Sequence, residues 1–189
     1  WWNSDDGWDL RQADGHYTID KCWSFYNGYV PDTFIRAGNG TAFKLGGKTA
    51  PATSETLRRV YHSLAFKCSS GFDPQPDSFN LTFTTVFLNC TAYLIDGRGF
   101  SVKWYEESDT LRNCIQYKCG GGGWVSNGSY TVHDHNTWDS DLKVSDTDFL
   151  TLDPAGINGN READGCLPDL SILHLSPGSE LIDAGTGVG

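Results

Sequence analysis

A motif of eleven residues returns along the chain, and this repeat constrains the fold more than any other feature. The segments "TIDKCWSFYNG" (18–28), "VYHSLAFKCSS" (60–70), "FLNCTAYLIDG" (87–97) and "LRNCIQYKCGG" (111–121) align without gaps. An aromatic recurs at Phe25, Phe66, Tyr93 and Tyr117. Three positions earlier stand Cys22, Ser63, Cys90 and Cys114, and two positions later Asn27, Cys68, Ile95 and Cys119. The opening "WWNSDDG" joins the series with Trp1 in the aromatic place and Asn3 in that of Asn27. A second mark follows each unit: Gly7-Trp8, Ala42-Phe43, Gly71-Phe72, Gly99-Phe100 and Gly123-Trp124, whose aromatics are 35, 29, 28 and 24 residues apart.

No strongly amphipathic helix lies between these marks. Short apolar runs broken by Gly, Asn and Asp, in irregular units of this length, point to a parallel β-helix, in which coils stack and like residues form ladders. A leucine-rich repeat lacks its Leu framework here, and a propeller needs longer four-stranded blades. A β-sandwich is the remaining alternative. The ladder aromatics read as core, with no function assigned. Cys90 and Cys114 fall on neighbouring coils about 4.8 Å apart, which suits either a disulfide or two buried thiols.

Acidic residues outnumber basic ones by 24 to 14, a net charge of -10, and there is no basic block. Nucleic acid and anionic membranes are therefore poor partners, and no apolar run approaches the roughly 18 residues of a membrane span. An acidic ligand would need a cation between it and the protein. Six Cys and the sequons at Asn39, Asn80, Asn89 and Asn127 favour a secreted protein. A chain that opens at Trp1 and holds no Met reads as a mature or trimmed one.

The repeat also places charges. The residues after the Gly-aromatic pairs are Asp9, Lys44, Asp73, Ser101 and Val125. If the aromatic points inward, its neighbour points out. Lys44 then lies roughly 5 Å from the coils bearing Asp9 and Asp73. The carboxylates of "SDDGWDL", Asp5, Asp6 and Asp9, belong to the same patch. Crowded carboxylates need a positive charge among them, and hard oxygen ligands suit Ca²⁺, although the spacing is not that of an EF-hand. A simple salt bridge from Lys44 to Asp9 or Asp73 is the competing reading.

"NSDDGWDL", "CWSFYNGY", "AGNGTAFKLGG" and "AFKCSSGFD", in this order, resemble the family 9 polysaccharide lyases. "NTWDSD", "SDTDFLTLD", "READGCLPDL" and "LHLSPGSELIDAG" extend the resemblance to essentially the whole chain. The resemblance implies an all-β, right-handed parallel β-helix and a calcium-dependent pectate lyase. It implies Asp5, Asp6 and Asp9 as calcium ligands and Lys44 as the catalytic base. A further ligand Asp of the family lies one coil earlier, so the resemblance implies N-terminal coils ahead of Trp1 that this chain does not include. Thr41 and Ala42 stand where the family has Asn and Gly, and Ser70 where it has Lys, departures that touch substrate contacts more than the metal site.

The expected reaction is β-elimination on polygalacturonate or pectin: a base removes the C5 proton and the C4 glycosidic oxygen departs. Ca²⁺ bound to the Asp cluster and to the substrate carboxylate would offset the charge of the enolate-like intermediate. Asp73, Arg36 and Lys48 are candidate substrate contacts, with Lys103 a solvated basic residue and "HDH" (133–135) a surface stretch. Residues 1–130 are expected to form the β-helix, and 131–189 an irregular segment packed on its side or end. A secreted monomer is expected. Two rival functions remain: a glycoside hydrolase using two of the three carboxylates as acid and base, and a non-catalytic β-helix that binds polysaccharide.

Overall fold

The computed structural model describes residues 1–11, 13, 15–46, 56–74, 83–102, 108–122, 131–139 and 141–188. Three parallel sheets run the length of the molecule. The first joins β1 (Trp8–Asp9), β4 (Thr41–Lys44) and β7 (Ser70–Asp73). The second joins β2 (Tyr17–Asp20), β5 (Thr56–Tyr61), β8 (Phe83–Leu88), β10 (Thr110–Arg112) and β12 (Val132–Asp134). The third joins β3 (Trp23–Phe25), β6 (Leu64–Phe66), β9 (Thr91–Tyr93) and β11 (Ile115–Tyr117). Each strand pairs with its counterpart one coil away, as in Phe25↔Phe66 and Phe66↔Tyr93. The parallel strand ladder reaches Asp134, and the described chain beyond it holds a 3-10 turn at Asp146–Asp148 and two isolated bridges, Phe149↔Leu175 and Thr151↔Ile172.

Strands this short need sharp corners, and non-glycine residues supply them. Lys21, His62, Asn89, Asn113 and His135 each follow a strand of the second sheet, and all have positive φ. Tyr26, Lys67, Leu94 and Lys118 do the same after the third sheet. Left-handed backbone is uncommon away from glycine. Here it recurs because every coil turns at the same two places.

Side chains bridge these corners from coil to coil. The Thr186 backbone fixes Asn113, whose Oδ1 accepts from Thr186 N at 2.8 Å and whose Nδ2 donates to Thr186 O at 2.8 Å. Asn113 Nδ2 also donates to Asn89 Oδ1 at 3.1 Å, so Asn89 turns its own Nδ2 to His62 Nε2 at 3.1 Å. His62 Nε2 must then accept, which leaves Nδ1 as the donor to Asp20 Oδ1 at 2.8 Å.

Inside the coils, Phe43, Phe72 and Phe100 stack at 4.7 Å for each successive pair, faced by Ile19, Val60, Phe87 and Leu111 from the second sheet. The third sheet turns small residues inward, Ala65 and Ala92, because the opposing rings fill the space. Each such ring removed from water contributes about 2–3 kcal/mol. All six cysteines are free. Burial, and then the neighbouring Cys90, push the Cys114 thiol pKa well above its usual value. Trp124 and Val125 of the sequence ladder lie outside the described residues.

The other aromatic ladder forms a second core, on the outer face of the third sheet. Phe66 stacks on Tyr93 at 5.5 Å and Tyr93 on Tyr117 at 6.1 Å, while Trp1 continues the stack beyond Phe25 at 5.4 Å. Ile157 and Ile172 of the C-terminal segment cover Phe25, Phe66 and Tyr93, and Phe149 packs on Tyr117 at 5.3 Å. Within the described residues, no helix is long and apolar enough to cross a membrane.

Candidate active site

The charged residues converge on the first sheet. Asp9 of β1 pairs in register with Lys44 of β4, and Lys44 with Asp73 of β7. Phe43 enters the interior, so Lys44 leaves it. It is nevertheless only 4% exposed, because the turn carrying Asp5 and Asp6 lies over it.

That turn is tied to the next coil by its backbone and its acids. Gly7 N donates to Thr41 O at 2.8 Å, and Thr41 N donates to Asp6 Oδ1 at 2.8 Å. Asn39 N donates to Asp5 Oδ1 at 2.8 Å. Gly38 permits the approach, since a Cβ there would stand 2.5 Å from Ser4 O. Locked in this way, Asp6 turns Oδ2 to Lys44 Nζ at 2.5 Å, and Asp9 Oδ2 completes the clasp at 3.3 Å. Burial works against the charge on Lys44, but hydrogen bonding and attraction from Asp6, and then from Asp9, outweigh it and hold the pKa above the usual lysine value.

Asp6 is 8% exposed and has both oxygens engaged. Asp5 and Asp9 are exposed. The cluster therefore presents carboxylate oxygens only, the hard ligands that alkaline-earth cations take. Among the described residues, no group of three or more carboxylate, imidazole or thiol side chains is placed to hold a metal ion. A cation drawing on Asp6 Oδ2 or Asp9 Oδ2 competes with Lys44 for the same atoms.

Asp73 is 7% exposed and lines a hollow of about 390 Å³ on the same side of the molecule. Arg36 belongs to a brace. Its Nη2 meets Asp96 Oδ2 at 3.0 Å, and its Nη1 donates to Ser69 Oγ at 2.8 Å. Asp96 also accepts from Tyr29 OH at 2.7 Å and Lys67 Nζ at 2.9 Å. Burial opposes the charge on Asp96, but these donors win and hold its pKa below the usual carboxylate value. Lys48 and Lys103 lie outside the described residues. The sequence reading missed the Asp6–Lys44 contact, Asp96 and Arg98. The last two sit in "IDGRG", where the signal was a pair of opposite charges among glycines beside a ladder position.

The family model for the Pel9A-like, right handed beta helix region matches residues 1–95. Pectate lyase L of Dickeya chrysanthemi is 35% identical over 196 residues, covering 98% of this chain and 42% of that protein. The chain thus spans about two fifths of that relative. The crystal structure of pectate lyase Pel9A superposes with a TM-score of 0.72 at 31% identity, over 97% of this chain and 44% of that one. A rhamnogalacturonan lyase superposes with a TM-score of 0.77 at 26% identity, over 94% of this chain and 46% of the other.

Proposed function

Because the chain belongs to the Pel9A-like right-handed β-helix family, we propose that it carries the reaction centre of a calcium-dependent pectate lyase. Lys44 acts as the base, and Asp5, Asp6 and Asp9 hold the calcium. The observation that carries the reading is the buried Lys44 amine clasped by Asp9 of the neighbouring strand and by Asp6 of the turn before it.

The donor chemistry suits the ion, since Asp5, Asp6 and Asp9 offer carboxylate oxygens, but to converge on it Asp6 and Asp9 would have to share with it the oxygens that now hold Lys44. Bound there, Ca²⁺ supplies positive charge beside the uronate carboxylate whose neighbouring carbon gives up its proton. It also lets a protein of net charge -10 hold a polyanion. The steps themselves belong to the chain. Lys44, once neutral, takes the C5 proton, and the C5–H electrons become the C4=C5 double bond. The C4–O bond breaks, and the departing oxygen is protonated by water. The clasp keeps Lys44 in place for a substrate lying along the first sheet.

The substrate we propose is polygalacturonate or pectin. Structural likeness to a rhamnogalacturonan lyase, with the higher of the two TM-scores, supports a second substrate of the same chemistry, a rhamnogalacturonan. Polymers of this size are met outside the cell, so we place the protein there, as a secreted monomer.

The test is absorbance at ~235 nm, where an unsaturated uronate product absorbs, at pH of about 8.5 with each polymer, with Ca²⁺ and with chelator. A calcium-dependent rise that Lys44→Ala lowers about a thousandfold is expected. Reducing ends without absorbance would mean hydrolysis, and the lyase reading would fall. Good activity at pH of about 5 in chelator would remove both calcium and the lysine base from the reading.

A further inference from the structure

One carboxylate outside the acid cluster gathers three donors from earlier coils. Asp96 follows β9 and is fixed by its backbone, with Asp96 N donating to Cys68 O at 3.0 Å and Gly97 N to Ser69 O at 2.9 Å. Its Oδ2 accepts from Tyr29 OH at 2.7 Å and from Arg36 Nη2 at 3.0 Å, and its Oδ1 from Lys67 Nζ at 2.9 Å. The Arg36 side chain is 58% exposed, so as a bare surface ion pair its contact with Asp96 would contribute little. What the contact joins gives it weight.

Tyr29 and Arg36 are the two sides of one hairpin. They face each other across an antiparallel bridge, and Val30 N donates to Ile35 O at 2.8 Å just beyond them. Asp32 and Phe34 near the tip have positive φ, a backbone that is uncommon away from glycine. The residues from Val30 to Asn39 are all exposed, so burial alone holds this loop weakly. Asp96 Oδ2 closes the base by binding both sides at once.

The feet of the hairpin stand on the turn that carries the acids. Gly28 N donates to Asn3 O at 2.8 Å, and Ala37 N returns to Gly28 O at 2.9 Å. Three residues after Arg36, Asn39 N donates to Asp5 Oδ1 at 2.8 Å. Ser69 pins the segment between, since its Oγ accepts from Arg36 Nη1 at 2.8 Å and its N donates to Gly40 O at 2.9 Å. The fit is close: a Cβ on Gly38 would stand 2.7 Å from Asp5 Oδ1. Asp5 is itself exposed, so the direction of its carboxylate follows the path of residues 36–40.

We infer that Asp96 is a positioning residue for the reaction centre: acting through Arg36 and Tyr29, it fixes the direction of the Asp5 carboxylate. That the ion is calcium and the reaction an elimination rests on the lyase reading above. The brace itself rests on the hydrogen bonds from Asp96 to the hairpin and from Asn39 to Asp5.

Calorimetric titration with Ca²⁺, and amide exchange at Asn39 followed by NMR on the intact chain, test the two separately. Asp96→Ala is expected to weaken Ca²⁺ binding about tenfold and to raise the Ca²⁺ needed for half-maximal turnover by the same factor, with kcat at saturating Ca²⁺ kept within about twofold. A purely structural loss would instead lower the active fraction, and with it kcat, and leave the affinity of the remainder unchanged. In an Asp5→Ala background, Asp96→Ala should change Ca²⁺ affinity no further, because the two residues act as one unit. The Asn39 amide should exchange faster in Asp96→Ala than in wild type, while the amides of β5 keep their protection. If Asp96→Ala does not fold, by its thermal melt, Tyr29→Phe, which removes one donor, should show the same changes at about threefold. Unchanged Asn39 exchange in a folded variant overturns the inference. So does an unaltered affinity where wild type binds Ca²⁺, or a full effect of Asp96→Ala in the Asp5→Ala background. A wild type that binds no Ca²⁺, with the Asn39 amide freed in Asp96→Ala, would sink the calcium reading and leave the brace standing.

Discussion

Lys44 Nζ lies 2.5 Å from Asp6 Oδ2, and both side chains are almost removed from solvent. A buried ion pair is strongly destabilised by removing one partner, because the other charge is stranded. Asp6→Ala should therefore cost about 3–5 kcal/mol, and Lys44→Met a smaller amount, since Asp6 keeps the Thr41 amide. Urea unfolding of the singles and of Asp6→Asn/Lys44→Met checks this. The double variant should be less destabilised than the sum of Asp6→Asn and Lys44→Met by about 2 kcal/mol. Simple additivity would mean that the contact contributes nothing as a pair.

Asp109 gives stability a pH dependence of its own. It precedes β10, is 1% exposed, and burial raises its pKa to about 6 despite hydrogen bonds from Thr85 N and Thr85 Oγ1. Its Oδ2 is buried with no hydrogen-bond partner among the described residues. An unfolded Asp titrates near ~3.9. Between those values the folded chain holds a proton that the unfolded chain has lost. The contribution is complete below ~4 and is lost as pH rises through the folded value, a change of about 3 kcal/mol at most. Asp109→Asn should remove that dependence, raising the melting temperature at neutral pH while leaving it nearly unchanged at pH of about 4. Melts across that range decide it. An equal effect at both ends would show that Asp109 is already neutral at pH 7 or that its burial has another role.

The corner ladder makes a prediction about modification. Asn89 lies in a sequon, yet its amide is held between His62 and Asn113. Asn39 is exposed on an irregular segment before β4. In a glycosylating host, Asn39 is expected to carry glycan and Asn89 to remain bare, and glycopeptide mass spectrometry reads both. Asn113→Ala should cost about 1–3 kcal/mol, because Thr186 and Asn89 lose partners together. It should also speed amide exchange around Thr186.

The register was legible because stacking repeats it. Trp1, Phe25, Phe66, Tyr93 and Tyr117 mark one place per coil, as do the rings from Trp8 to Phe100; the second series stacks throughout, and the first stacks from Trp1 to Phe25 and from Phe66 to Tyr117, with Phe25 and Phe66 paired in register. Which side of the wall each series faces was not legible, because a three-residue strand is too short to show its alternation. The row Asp9–Lys44–Asp73 follows from register alone. The Asp6–Lys44 contact does not, since Asp6 precedes the strand and reaches Lys44 only through the bond its other oxygen makes to Thr41 N. Arg98 gave no periodic signal, because its position depends on the glycines of the following coil.

A stack whose coils touch only their neighbours can melt from either end, one rung at a time. The C-terminal segment changes that. It packs along the outer ladder from Phe25 to Tyr117, and Asp146 ties it to Lys118 at 2.8 Å and to the Tyr117 hydroxyl. Four rungs are thereby fastened to one batten, so that loosening any of them exposes the apolar underside of the whole strip. The molecule should unfold in a single cooperative step, as a globular domain does.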